Sequence, residues 1–178
     1  MRPLRQLQAR RAAQRRQAEP TRRPAGALTW GKGGRILLLT QQADAEAVAA
    51  ARAFAKTHQQ RGSGVDTLTY SPERRAKDQS PQPEVWTPAE LQFSGLPTEA
   101  AEAPWRGRDY DVAIHVAREA FAPFDYLAAG LRAHRRVAAY DTAFESYDLV
   151  VTPHPGSGYA DFLEQVAYYL ERLSPHYA

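Results

Sequence analysis

From Leu28 onward, short apolar runs alternate with stretches of helical spacing. Arg35-Ile-Leu-Leu-Leu-Thr40 has no polar alternation, the pattern of a strand covered on both faces. Asp44 stands where a helix N-cap belongs, and Ala47, Ala51, Phe54 and Ala55 recur on one face until Gly62-Ser63-Gly64 breaks the spacing. Val65 to Tyr70 reads as a second strand, Glu84 to Thr87 as a short third, Asp111 to Ala117 as a fourth, Arg136 to Tyr140 as a fifth and Asp148 to Thr152 as a sixth. Phe124, Leu127, Ala128 and Leu131 predict a helix between the fourth and fifth strands. His134-Arg135-Arg136 is expected to end it, with cations at the negative pole of the helix. Phe162, Val166, Tyr169, Leu170 and Leu173 predict a terminal helix. Strands separated by helices predict an α/β fold with a single mostly parallel sheet of five to six strands and helices on both faces. Residues 71–110, rich in Pro, charge and small side chains, predict a long excursion holding a short strand or helix.

The pattern before Leu28 is of another kind. Eight arginines (Arg2, Arg5, Arg10, Arg11, Arg15, Arg16, Arg22 and Arg23) fall in the first 23 residues, with Glu19 as the only acid. The formal charge of the chain is +3; residues 1–24 carry +7, which leaves −4 on the remainder. The division expected is a basic arm over residues 1–27 and an α/β domain over 28–178. Residues 3–18 are mostly Leu, Ala, Gln and Arg, good helix formers, and Pro20 and Pro24 end the stretch. On a helix those arginines point to all sides of the axis, and Leu4 with Leu7 makes only a small apolar patch. An interfacial membrane helix segregates a basic face from a wide apolar one, whereas charge on every side suits insertion among phosphates. The arm therefore reads as an RNA or ribosome contact, with an anionic membrane surface and a plain solubilising tail as the alternatives. It also has the arginine-rich, acid-poor character of a mitochondrial presequence, though it contains no serine.

Composition removes several classes of chemistry. The chain has no cysteine, which excludes disulfides, thiolate metal sites and cysteine nucleophiles. No apolar run approaches the length of a membrane span, about 18 to 20 residues. A cytoplasmic protein is expected.

In an open parallel sheet, ligands bind beyond the carboxyl ends of the strands. The loop after the first strand, Thr40-Gln-Gln-Ala-Asp44, has no glycine where a dinucleotide fingerprint needs one. Trp30-Gly-Lys-Gly-Gly34 precedes its strand and lacks the Walker spacing, so it reads as an entry loop. Thr152-Pro-His-Pro-Gly-Ser-Gly-Tyr159 is better placed, because it leaves a strand and opens a helix whose free N–H groups suit an anion. Gly156, Ser157 and Gly158 are its candidate ligand residues, against a plainer role in which the glycines shape a turn and Ser157 caps the helix. His115, in the fourth strand, is either a packed strand histidine or an acid, base or ligand near Arg118 and Glu119. Asp141, after the fifth strand, is placed to approach it, and Thr40 completes the candidate cleft. No second histidine has metal-ligand spacing, so neither metal nor cofactor is expected.

Several of these segments occur in a familiar order: Gly34-Arg-Ile-Leu-Leu-Leu39, Leu91-Gln-Phe-Ser-Gly-Leu-Pro97, Tyr110-Asp-Val-Ala-Ile-His-Val116, Arg135-Arg136-Val137 and Tyr147-Asp-Leu-Val-Val151. Over most of residues 28–173 the chain resembles a family of short bacterial proteins, domain of unknown function 6913. The resemblance implies a Rossmann-like fold and assigns no functional residue. The aspartate-led strand, the helix and Arg135-Arg136 are also similar to the amino-terminal half of heptosyltransferase-type glycosyltransferases, two-domain enzymes that need a longer chain. The function expected is that of a non-enzymatic binding or accessory protein whose arm contacts a polyanion. The alternative is a nucleotide- or sugar-phosphate-binding protein, or a transferase-like enzyme, using the cleft at the strand ends.

Overall fold

In a computed structural model describing residues 23–73, 80, 82–140 and 146–174, the apolar run becomes the strand β1 (Arg35–Gln41). It sits at the centre of the sheet because Ile36 to Leu39 offer no polar face to water, and all four are buried. After it come α1 (Ala45–Gln60), β2 (Gly64–Tyr70), β3 (Val85–Trp86), a 3-10 turn (Pro88–Glu90) and α2 (Glu99–Arg106). The chain continues with β4 (Asp109–His115), α3 (Ala122–Gly130), β5 (Arg132–Ala138), β6 (Leu149–Val150) and α4 (Tyr159–Leu173). The strand order is β3-β2-β1-β4-β5-β6 and every pairing is parallel. This is the doubly wound order, with its switch point between β1 and β4.

Two cores lie on opposite faces of the sheet. Ile36, Leu38, Val112, Ile114 and Val137 pack under α1 and α4 with Ala47, Ala51, Phe162, Val166 and Leu170. Leu37, Leu39, Leu68 and Ala113 pack with Trp86, Trp105, Phe124 and Leu127. Parallel neighbours in register point to the same face, so Leu39 and His115, which are partners across β1 and β4, both turn toward α3. At the entry to β1, a side chain at Gly34 would collide with the backbone carbonyl of Thr29, so only glycine closes that approach. Asp44 caps α1 as its position predicts, accepting from the Ala47 N–H at 3.0 Å.

Several boundaries differ from the sequence reading, and β4 runs two residues earlier than expected, over Asp109–His115. His134-Arg135-Arg136 lies inside β5, which begins at Arg132, and α3 has already ended at Gly130. The arginines disguised a strand whose Ala133 and Val137 are buried in the two cores, while Arg136 pairs with Asp148, Nε to Oδ2 at 3.0 Å. β6 keeps two of its five expected residues, and the weak region contains α2, capped by Thr98. Residues 1–22, and with them the helix expected over 3–18, lie outside the described residues. So does Asp141.

Candidate functional site: a buried polar cluster at the strand ends

The sheet carries its most concentrated polar chemistry where β4 and β5 end. His115, the last residue of β4, is wholly buried, with Phe124 of α3 against its ring edge-on at 5.3 Å between centroids. Its Nδ1 lies 3.0 Å from the Tyr147 hydroxyl and 2.5 Å from that of Tyr140. Both hydroxyls donate to Oδ1 of Asp125 at 2.7 Å, and Asp125 itself is 1% exposed. Each tyrosine has one proton, and both are given to Asp125. The hydroxyl oxygens can then only accept from His115, which places a proton on Nδ1. Nε2 of His115 and Oδ2 of Asp125 are buried with no hydrogen-bond partner among the described residues.

The cluster is assembled from one strand, one helix and one connection. β4 supplies the histidine, the first turn of α3 the carboxyl, and the tyrosines flank residues 141–146 on the way from β5 to β6. Burial and the neighbouring Asp125 carboxyl push the Tyr140 hydroxyl far above the ordinary tyrosine range. Tyr147 is raised as well, first by burial and then by Tyr140 and Asp125. Both tyrosines remain neutral donors. A histidine oriented through one nitrogen and bare at the other has the form of a general base, but here the bare nitrogen is sealed inside the protein.

The other candidates go elsewhere. The Thr40 hydroxyl is taken by that of Thr69, at 3.0 Å. Thr40 is buried. The 153–158 loop belongs to the α4 side of the sheet, where Arg118 donates to the Ser157 carbonyl at 2.6 Å and stacks over the Tyr159 ring at 5.1 Å. Among the described residues no hydrogen bond joins this loop to His115 or Thr40. Arg118, Ala139, Pro153, His154, Pro155 and Gly156 line a cleft of about 220 Å³. Gly158, not Ser157, is the N-cap residue of α4, and the Ser157 hydroxyl donates to the His154 carbonyl at 2.7 Å. The amides that a phosphate would want are occupied: Gly158 N–H donates to Asp161 at 2.8 Å and Tyr159 N–H to Glu46 at 3.3 Å. The Tyr159 hydroxyl is bound to Asp44, and burial together with that carboxylate pushes its pKa up to about 12.

A family model matches residues 7–173. The chain belongs to DUF6913, a family of unknown function. No curated protein and no solved structure matches it. The DUF6913 match takes in residues 7–27 of the arginine-rich N-terminal segment as well as the sheet. Among the described residues no group of three or more His, Cys, Asp or Glu side chains is arranged to hold a metal, and no helix is long and apolar enough to cross a membrane.

Sequence reasoning reached His115 but missed Asp125, Tyr140 and Tyr147. One signal was readable. In the amphipathic stretch Phe121 to Leu131, Asp125 falls one turn after Phe121 and one residue after Phe124, on the face meant for the core, where a carboxyl requires partners.

Proposed function

We propose that this DUF6913 member is a bacterial cytoplasmic accessory protein that binds a polyanion, RNA or the ribosome, through its arginine-rich arm, and is not an enzyme. The observation that carries this reading is the separation of charge: +7 on residues 1–24 beside a body of −4. The body's own anion-binding opportunity, the N-terminus of α4, is filled by Asp161 and Glu46. Arg23, the last arginine of the arm, pairs with Asp148 at 3.4 Å and is largely exposed. The arm therefore joins the body at the surface. Guanidinium charge without aromatic residues binds phosphates and not bases, so sequence preference is absent from the reading.

Salt dependence tests it. With about six to eight phosphate contacts, log affinity for single-stranded RNA falls linearly with log salt, at about −0.7 per contact. Replacing Arg10, Arg11, Arg15 and Arg16 by Gln weakens all RNAs equally and flattens the slope by about three units. Binding to anionic vesicles but not to RNA transfers the role to a membrane surface, and binding to neither leaves a solubilising tail.

The second reading, a small-ligand or transferase-like site, is favoured by one observation, the cleft lined by Arg118 and His154. Titration with nucleotides and sugar nucleotides, followed by NMR, is its test. Amide shifts at Gly156 to Tyr159 support it, and their absence at millimolar ligand removes it.

A further inference from the structure

The outward face of α4 is built unlike the rest of the surface. Tyr168, Tyr169 and Leu173 are 49%, 46% and 48% exposed, three of the five large hydrophobic side chains left exposed among the described residues. Alongside them, His154, Asp161, Glu164, Gln165, Tyr168 and Tyr169 line a shallow groove of about 510 Å³. The helix carries Asp161, Glu164 and Glu171 against a single cation, Arg172, so its net charge is −2. Aromatic rings beside carboxylates select a cation, and guanidinium in particular, because its plane stacks on a ring while its N–H groups meet the acid. The tyrosines of α4 already take this partner. Arg172 lies over Tyr168 at 4.2 Å and Arg118 over Tyr159 at 5.1 Å.

The chain carries its own supply of guanidinium groups ahead of residue 24. Leu28 is buried in the core under α1 and α4, and Arg23 is tied to Asp148, the residue before β6. Leu170, in the last turns of α4, belongs to the same core as Leu28, so residues 23–28 and the end of α4 share one side of the sheet. Residues 1–22 hold seven arginines and one acid, a charge of +6. The 15 residues of α4 span about 22 Å, and 22 residues of chain reach that far even at a helical rise of about 1.5 Å each. The family match spans residues 7–173 and so covers most of the arginine-rich segment as well as α4.

We propose that the arginine-rich arm docks in cis on the acidic, tyrosine-lined outer face of α4, through Glu164, Tyr168, Tyr169 and Glu171, and that a polyanion must displace it. This rests on the polyanion reading only in its second half. The body thus competes with phosphate for the same guanidinium groups, and α4 sets the threshold for release. Glu164 and Glu171 have no ion pair among the described residues and are free to serve. Because the contact is exposed and charged, salt screens it.

NMR of the full-length chain tests the docking. Between about 25 mM and 500 mM salt, where the Debye length falls from about 20 Å to about 4 Å, the Tyr168 and Tyr169 rings and the amides of residues 164–173 should shift. The full-length R10Q/R11Q/R15Q/R16Q variant should show the high-salt positions at every salt concentration. Identical spectra for the two chains at low salt overturn the docking. Shifts that grow with protein concentration assign the occupant to another copy's arm and overturn docking in cis. The competition is read separately, with a single-stranded homopolymeric RNA: E164Q/E171Q should bind it about three- to tenfold more tightly than the parent, the range of weak exposed charge contacts. E84Q/E99Q, with the same change in net charge away from α4, should bind about as the parent does. Equal tightening by both pairs refers the effect to net charge and overturns the competition. If no variant binds RNA, the polyanion reading fails, while the arm comparison still decides whether the arm docks.

Discussion

The buried cluster predicts a particular pattern of non-additivity. Tyr140 and Tyr147 both donate at 2.7 Å to one oxygen of Asp125, whose other oxygen has no partner among the described residues. Tyr147→Phe removes one donor, leaves the carboxyl with the other, and leaves His115 bonded to Tyr140. A buried hydrogen bond to such a group contributes about 1.5 to 3 kcal/mol when the acceptor is charged, and the surviving bond limits the loss to about 1 to 2 kcal/mol. Tyr140→Phe should cost a similar amount. The double variant is different in kind, because it strands a fully buried carboxyl with no donor at Oδ1 and leaves the His115 Nδ1–H without an acceptor. It should cost about 1 to 3 kcal/mol more than the two single costs together. Adding Asp125→Leu to the double variant should recover part of that loss, since it removes the stranded carboxyl and leaves only the His115 Nδ1–H without a partner. Urea unfolding at pH 7, with m unchanged across the series, measures all four chains. Additive single costs below about 0.5 kcal/mol would show that the tyrosines and the carboxyl do not act as one bonded unit.

Other outcomes follow from the same structure. His58, buried against Phe54 and Trp30, has its pKa lowered by burial and by Arg61, so the unfolded chain takes its proton first; stability should fall as pH drops below about 6.5, and His58→Gln should flatten that part of a pH-dependent urea series. Tyr159, with its pKa raised to about 12, contributes stability that is complete below about pH 10 and lost as pH rises through its folded value; Tyr159→Phe should reduce the alkaline loss seen by circular dichroism. Phe162→Ala should cost about 3 to 5 kcal/mol, because the ring is fully buried between α4 and the sheet. Deleting residues 1–24 should leave the thermal midpoint within a few degrees, since it removes only one exposed ion pair of the described body, worth about 0 to 1 kcal/mol; a larger drop would show the arm to be part of the fold.

Local pattern alone determined the class of this molecule. The uninterrupted apolar run of β1, the spacing of α1 and α4, and Asp44 as a cap were all legible, because two-sided burial, helical period and N-cap chemistry are properties of neighbouring residues. β5 was only half legible, since Arg132, Arg135 and Arg136 masked a strand whose Ala133, Val137 and Ala138 are buried and whose Arg136 pairs with Asp148. The strand order and the polar cluster were decided by tertiary structure. His115, Asp125 and the pair Tyr140 and Tyr147 come from a strand, a helix and a later connection, and nothing in their spacing says that two tyrosines share one carboxyl oxygen while holding a histidine. Neither could the sequence show that the 153–158 loop and His115 belong to opposite faces of the sheet, or that Glu46 of α1 reaches the amide of Tyr159. Those contacts exist because a parallel sheet gathers the ends of distant strands at one rim, and which side chains meet there depends on register and face, quantities that no single segment carries.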